Sequence, residues 1–167
     1  FLVSVDTTDL GMPEVTLPVV PGMEGCHWPF RKTPPEQWPK ILRLLLEGNM
    51  VKAKESAGWL VDYAGSLEES IKMVWKIVTD GDHGLSLRKV EEGALKEIPR
   101  EISGLSSPGD LTLEAARQAI FVCIQDSCGS DLSQALDKQS RHSADFMTTP
   151  YCQKGSIGAE FSKTMKV

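Results

Sequence analysis

The sequence predicts an all-α protein made of two small helical sub-bundles joined by a short linker, with an extended N-terminal arm. Three observations predict this. Between Pro35 and Leu95, helix-length amphipathic segments follow one another, broken at Gly48, at Gly65-Ser66 and across the turn from Asp80 to Gly84. A further strong amphipathic stretch opens after the Ser-Ser-Pro-Gly break ending at Gly109. Residues 1–30, by contrast, mix β-branched residues with Pro13, Pro18 and Pro21 and carry no helical period.

Taken in order, residues 1–30 read as the arm, with room for a short hairpin or edge strand because the prolines exclude a central strand. An N-terminal helical subdomain spans 31–80. Its first helix starts at Thr33-Pro-Pro-Glu36, where Thr33 can cap and Glu36 sits as in a capping box. Trp38, Ile41, Leu42, Leu45 and Leu46 form its buried face, and Gly48-Asn49 supplies the stop. A second helix is expected from Met50 to Ala64, with Val51, Ala57, Trp59, Leu60 and Tyr63 inward and Gly58 weakening it. The third opens on a Ser66-x-x-Glu69 capping box and places Leu67, Ile71, Val74, Trp75 and Val78 on one apolar stripe.

Residues 81–109 form a linker with a helix from Leu85 to Ile98 that ends before Pro99, followed by a loop from Ser103 to Gly109. The second helical subdomain, 110–167, begins with Asp110 or Thr112 as cap and buries Leu113, Ala116, Ile120, Cys123 and Ile124 before Gly129. Segments from Asp131 to Met147 and from Ala159 to Lys166 complete it.

Composition bounds the function. A chain of 167 residues with 41% hydrophobic and 25% charged residues is ordinary for a globular protein. No apolar run approaches the roughly 20 residues that cross a bilayer, and the start lacks the pattern of a signal peptide, so the expectation is a soluble or peripheral protein. A net charge of −5 argues against generic wrapping of nucleic acid.

Candidate chemistry is sparse. Cys26, Cys123, Cys128 and Cys152 read as reduced, buried thiols. Cys123, Cys128, His142 and Cys152 could supply zinc ligands, but the Cys-x2-Cys knuckle is missing. Asp80, Asp82 and Glu91 fall at positions 1, 3 and 12 of a calcium loop, yet Gly84 and Leu85 break its centre. No metal or cofactor is therefore assigned. His27, His83 and His142 stand in no nucleophile motif, and the reading is non-enzymatic. What remains is basic: Lys52 and Lys54, Lys72 and Lys76, and Arg88 and Lys89, with Arg31 and Lys32 nearby, would form a lipid-binding patch if the helices pack as antiparallel neighbours.

Several stretches carry a resemblance. Gly48 is followed by Trp59-Leu60 and then by Ser66-Leu67 opening an apolar helix; His83 to Leu95 holds a Gly-Leu stretch with basic residues followed by Ala-Leu. Gly109 to Ala116 leads to Cys123, and Asp137 to His142 precedes Met147-Thr-Thr149. In this order, over Pro35 to Thr149, the chain resembles the orthomyxovirus matrix proteins, the shell beneath the envelope of influenza-type viruses. The resemblance implies two helical subdomains, self-polymerisation under the envelope, peripheral binding of anionic membrane through a basic face, and contact with the viral ribonucleoprotein. It implies residence at the inner face of the virion envelope and, in the host, at cytoplasm and plasma membrane, with the nucleus as a further compartment. Arg88 and Lys89 match two members of the family's basic triplet, with Leu87 in place of the first. Those relatives are basic, whereas this chain is acidic, and their RNA-binding and nuclear-import segment is reduced here to Lys96–Arg100. Direct RNA binding and nuclear import thus lack their usual carrier. The alternative from the same residues is a soluble helical adaptor that binds a protein surface and no lipid.

Overall fold

The structure is a computed structural model and describes residues 1–97, 99–100, 105–107 and 109–154. It is mostly helical, with four short strands. The segment expected from Ala159 to Lys166 lies outside the described residues.

The centre is α2 (Trp38–Glu47) against α5 (Leu111–Cys128). In α2, apolar residues at Trp38, Ile41, Leu42, Leu44, Leu45 and Leu46 are all buried, each worth about 1.5–3 kcal/mol of transfer from water. Gly48 ends the helix at φ 69°, and a Cβ there would sit 2.8 Å from Thr16 Cγ2 and 3.2 Å from Val15 Cγ1, so both conformation and space demand glycine. Before α2, Pro35–Gln37 forms a 3-10 turn, and Thr33 does not cap it: its hydroxyl donates to Trp59 O at 2.9 Å. In α5, Asp110 caps Thr112 N at 2.6 Å, and Ala116, Ile120, Cys123, Ile124 and Cys128 point inward. α6 (Leu132–Met147), capped by Asp131 on Gln134 N, returns along α5, and α7 (Pro150–Lys154) tucks Cys152 beneath them.

Three expectations give way here. Residues 1–30 hold the short strands the sequence leaves room for, but they are not an extended arm throughout. β1 (Val3–Val5) and β2 (Asp9–Gly11) are followed by a 3-10 turn at Pro13–Thr16 and by α1 (Trp28–Lys32), and Val15, Val20, Cys26 and Phe30 join the central core. The helix expected from Met50 to Ala64 is instead β3 (Met50–Lys52), a single turn α3 (Ala53–Ser56), a loop and β4 (Tyr63–Gly65). Its strands answer the N-terminal ones: β3 pairs antiparallel with β2, and β4 pairs parallel with β1, Val3 opposite Tyr63. The chain is therefore not strictly all-α. The helix expected from Leu85 is absent over the described residues 85–97, which run as an irregular strap held by Glu91 N to Arg31 O, Leu95 N to Cys128 O and Leu132 N to Glu92 O.

α4 (Leu67–Thr79) forms where expected. Ser66 Oγ accepts from Glu69 N while Glu69 Oε2 accepts from Ser66 N, the reciprocal capping box. Its packing differs from expectation. Ser70 is buried, its hydroxyl donating to Ser4 O on β1 and to Gly65 O on β4, and Met73 and Ile77 are half-buried. The apolar stripe faces outward.

Candidate functional site

The six basic residues expected to bind lipid divide into three groups. Lys52, on β3, is paired with Asp9 on β2 at 2.8 Å, while Lys54 on α3 is exposed. Lys72 pairs with Glu68 one turn earlier on α4 at 2.6 Å, and Lys76 is exposed in the last turn. Arg88 is built into the fold. Its Nε donates to Asp62 Oδ1 at 2.6 Å, its Nη1 to Trp59 O, and its Nη2 to Leu60 O at 3.2 Å.

Asp62 also receives Lys32 at 3.5 Å and the Leu2 N–H at 2.6 Å, and its side chain is nearly buried. Burial pushes the Asp62 carboxyl up, but the hydrogen bonds from Arg88 and Leu2 and the charges of Arg88 and Lys32 outweigh it and hold the group below its ordinary value. This knot ties the strap to the Trp59–Asp62 turn. Lys89, next in sequence, is exposed. The structure brings Lys72 and Lys76 onto one helix and Lys52 and Lys54 onto one segment; Arg88 spends its guanidinium internally.

The thiols also pack inward. The neighbouring Cys123 thiol, then burial, raises the Cys26 thiol well above its usual value while its neighbour Cys26 lowers that of Cys123, and burial pushes Cys128 up to about 12. His142 contacts Asp126 at 3.0 Å rather than a thiol. Among the described residues no group of three or more His, Cys, Asp or Glu has the geometry of a metal site. At the glycine turn, His83 Nδ1 accepts from Leu85 N and its ring lies edge-on to Phe1 with centroids 4.7 Å apart.

Two surface features went unread in the sequence. The first is the outer face of α4: Leu67 is 63% exposed, Ile71 61%, Val74 48%, Trp75 69% and Val78 78%. Their spacing signals an apolar stripe but carries no information about which neighbour covers it. Alongside runs a groove of about 380 Å³ between α4 and β1, lined by Val3, Ser4, Val5, Ile71, Val74 and Trp75 among others, with no charged side chain in its wall.

The second is a cavity of about 540 Å³ framed by β1, β2, α1 and α2, lined by apolar residues with Glu24 as its one ionisable side chain. Met23 and Glu24, at φ 47° and 68°, hold its rim in the left-handed region, a strained conformation for residues with a side chain. Nearby in sequence, Glu14 Oε2 and His27 Nε2 are buried without a hydrogen-bond partner among the described residues. Nothing in the proline-rich pattern of residues 1–30 signals a cavity, because its walls come from four separate elements.

Comparison with protein-family models and with curated proteins finds no match to this chain.

Proposed function

We propose that the chain is a non-catalytic protein-interaction module whose working surface is the outer face of α4. The observation that carries this reading is the exposed row of Leu67, Ile71, Val74, Trp75 and Val78 on a helix whose inner side is already satisfied against β1 and β4. Contiguous apolar patches of this kind on a globular surface mark association sites. A photo-crosslinking side chain placed at Val78 is expected to yield crosslinked protein, and one placed at exposed Glu36 is not; equal yields at both positions would remove the reading.

Polymerisation beneath a viral envelope, which the matrix resemblance implies, is one form such association takes. On that version neighbouring copies contact one another through the subdomains 31–80 and 110–167 that the resemblance implies, here packed on one core through α2 and α5, and exposed Lys54, Lys76 and Lys89 provide the membrane face. Flotation with anionic vesicles at low and high salt separates it from the lipid-free adaptor. Salt-sensitive binding lost in Lys54→Glu/Lys76→Glu/Lys89→Glu supports the matrix version, and no binding supports the adaptor.

A second reading rests on the cavity beside Met23 and Glu24. Apolar walls with one carboxylate at a strained rim suit a small, mostly apolar ligand. Nile red binding that survives Val78→Glu but is lost in Leu44→Trp, which fills the cavity, would favour it.

A further inference from the structure

We infer that the open edge of β1, together with the groove beneath α4, is a docking site for an extended β-segment of alternating apolar residues. The inference rests on the interaction reading above and names the kind of partner.

The backbone sets the argument. In the parallel pair with β4, Leu2 O accepts from Asp62 N and Tyr63 N, and Asp6 N donates to Gly65 O. The Leu2 carbonyl and the Asp6 N–H, which flank β1, thus point toward the β4 side, and strand geometry turns the backbone groups of Val3 and Val5 toward the opposite edge. Val5 O is occupied by Thr8 N at 3.1 Å. Among the described residues that leaves the Val3 N–H, the Val3 carbonyl and the Val5 N–H as a short unpaired ladder.

Two-stranded sheets are marginal alone, and parallel strands are characteristically buried with neighbours on their edges and faces. Here the edge is open, and the groove that flanks it is walled by Ile71, Val74, Trp75 and Val78 without a charge. A strand added along β1 would place every second side chain in that groove. Because the wall is uncharged, those side chains must be apolar; a lysine or glutamate there would lose its hydration without a partner.

Area supports the same occupant. At their observed exposures, Phe1, Leu2, Leu67, Ile71, Val74, Trp75 and Val78 offer on the order of 600 Å² of apolar surface, taking about 150 Å² per side chain, the low end of the aromatic range, because five of the seven are aliphatic. That stands at the top of the roughly 300–600 Å² of the largest patch on an ordinary monomer and approaches the ~800 Å² per partner of a standard interface. The edge adds backbone hydrogen bonds that a helix lying in the groove could not use.

The probe is a displayed library of random octapeptides selected on the intact chain, read by amide hydrogen exchange and by Trp75 fluorescence. Expected are selected peptides with apolar residues at every second position that slow exchange at the Val3 and Val5 amides at least tenfold and shift Trp75 emission to the blue. Val3→Pro, which removes an edge donor, should weaken binding tenfold or more. The wild-type exchange pattern decides the matter even where that variant folds poorly. Selected peptides with apolar residues spaced by three and four, or ones that cover Trp75 while leaving both amides unchanged, would overturn the strand in favour of a helix on α4. Failure to select any peptide would also overturn it. Crosslinking at Val78 stands or falls separately, so the interaction reading and this inference fail in distinguishable ways.

Discussion

Arg31 Nε donates to His27 Nδ1 at 3.1 Å, one helical turn away, and both side chains are buried. The guanidinium also donates to Gly93 O and Ser130 O at 2.6 Å, to Glu91 O at 3.0 Å and to Ser127 O at 3.1 Å, with no carboxylate in ion-pair distance among the described residues. One side chain thereby joins α1, the 85–97 strap and the carbonyl end of α5, where the helix dipole favours a cation. Arg31→Ala should lower unfolding free energy by about 3–5 kcal/mol in urea denaturation, because it strands buried carbonyls. Arg31→Lys should recover only part, since one ammonium cannot span both segments.

His27 carries a pH signature. Burial, then the positive charge of Arg31, lowers its pKa from 6.5 to about 4. The folded state holds it neutral, and the unfolded state binds the proton more readily. Its contribution to stability is complete above pH 6.5 and is lost as pH falls from 6.5 through 4, on the order of 3 kcal/mol in all. His27→Gln keeps an acceptor for Arg31 and should flatten the pH dependence of the urea midpoint across that window; an unchanged slope would show that His27 is not the titrating group.

Arg88 and Lys89 should part company. Arg88→Gln leaves Asp62 nearly buried with only Lys32 and the Leu2 N–H, and should cost about 2–3 kcal/mol. Lys89→Gln should stay within about 0.5 kcal/mol. Thermal melts of the two single variants check this. A charge reversal at Arg88 consequently disturbs the fold itself and is a poor probe of lipid binding.

Leu45 and Leu67 make the same contrast among apolar residues. Leu45→Ala empties a fully buried site between α2 and its neighbours and should cost about 2–5 kcal/mol. Leu67→Ala, in the outward stripe, should change monomer stability by no more than about 0.5 kcal/mol. Denaturation at low protein concentration separates them; a large loss at Leu67 would mean that the stripe is covered.

All four thiols are buried, with those of Cys26, Cys128 and Cys152 raised. Reaction with a disulfide reagent at neutral pH should be slow in the native protein and immediate in denaturant.

Where sequence and structure agree, the signal is local. The Ser66–Glu69 capping box is realised bond for bond, α2 keeps the inward residues that its period implies, and α5 keeps Ala116, Ile120, Cys123 and Ile124 while Leu113 is half-buried. Where they differ, the deciding partner is distant. Met50–Lys52 and Tyr63–Gly65 become strands because β2 and β1 lie beside them, and no window around Val51 or Ala64 contains that fact. The α4 stripe was legible as apolar and illegible as exposed, since periodicity reports a face and not its cover. Of the candidate site residues, Lys52, Lys54, Lys72, Lys76 and Lys89 are exposed, Lys52 and Lys72 in surface ion pairs with Asp9 and Glu68. Arg88 was selected for its charge, and its engagement with Asp62 depends on a fold that spacing cannot describe.

The pairing of β1 with β4 joins positions about sixty residues apart, Leu2 N to Asp62 among them. Closing so long a loop yields little until α1 and α2 have collapsed between its ends, so the strands and α4 should assemble last. During synthesis and refolding the apolar stripe and the β1 edge are then the final surfaces to be ordered, and the first to open when the protein is stressed. Slow refolding of the Trp75 environment, and aggregation that tracks it, would be the kinetic mark of that order.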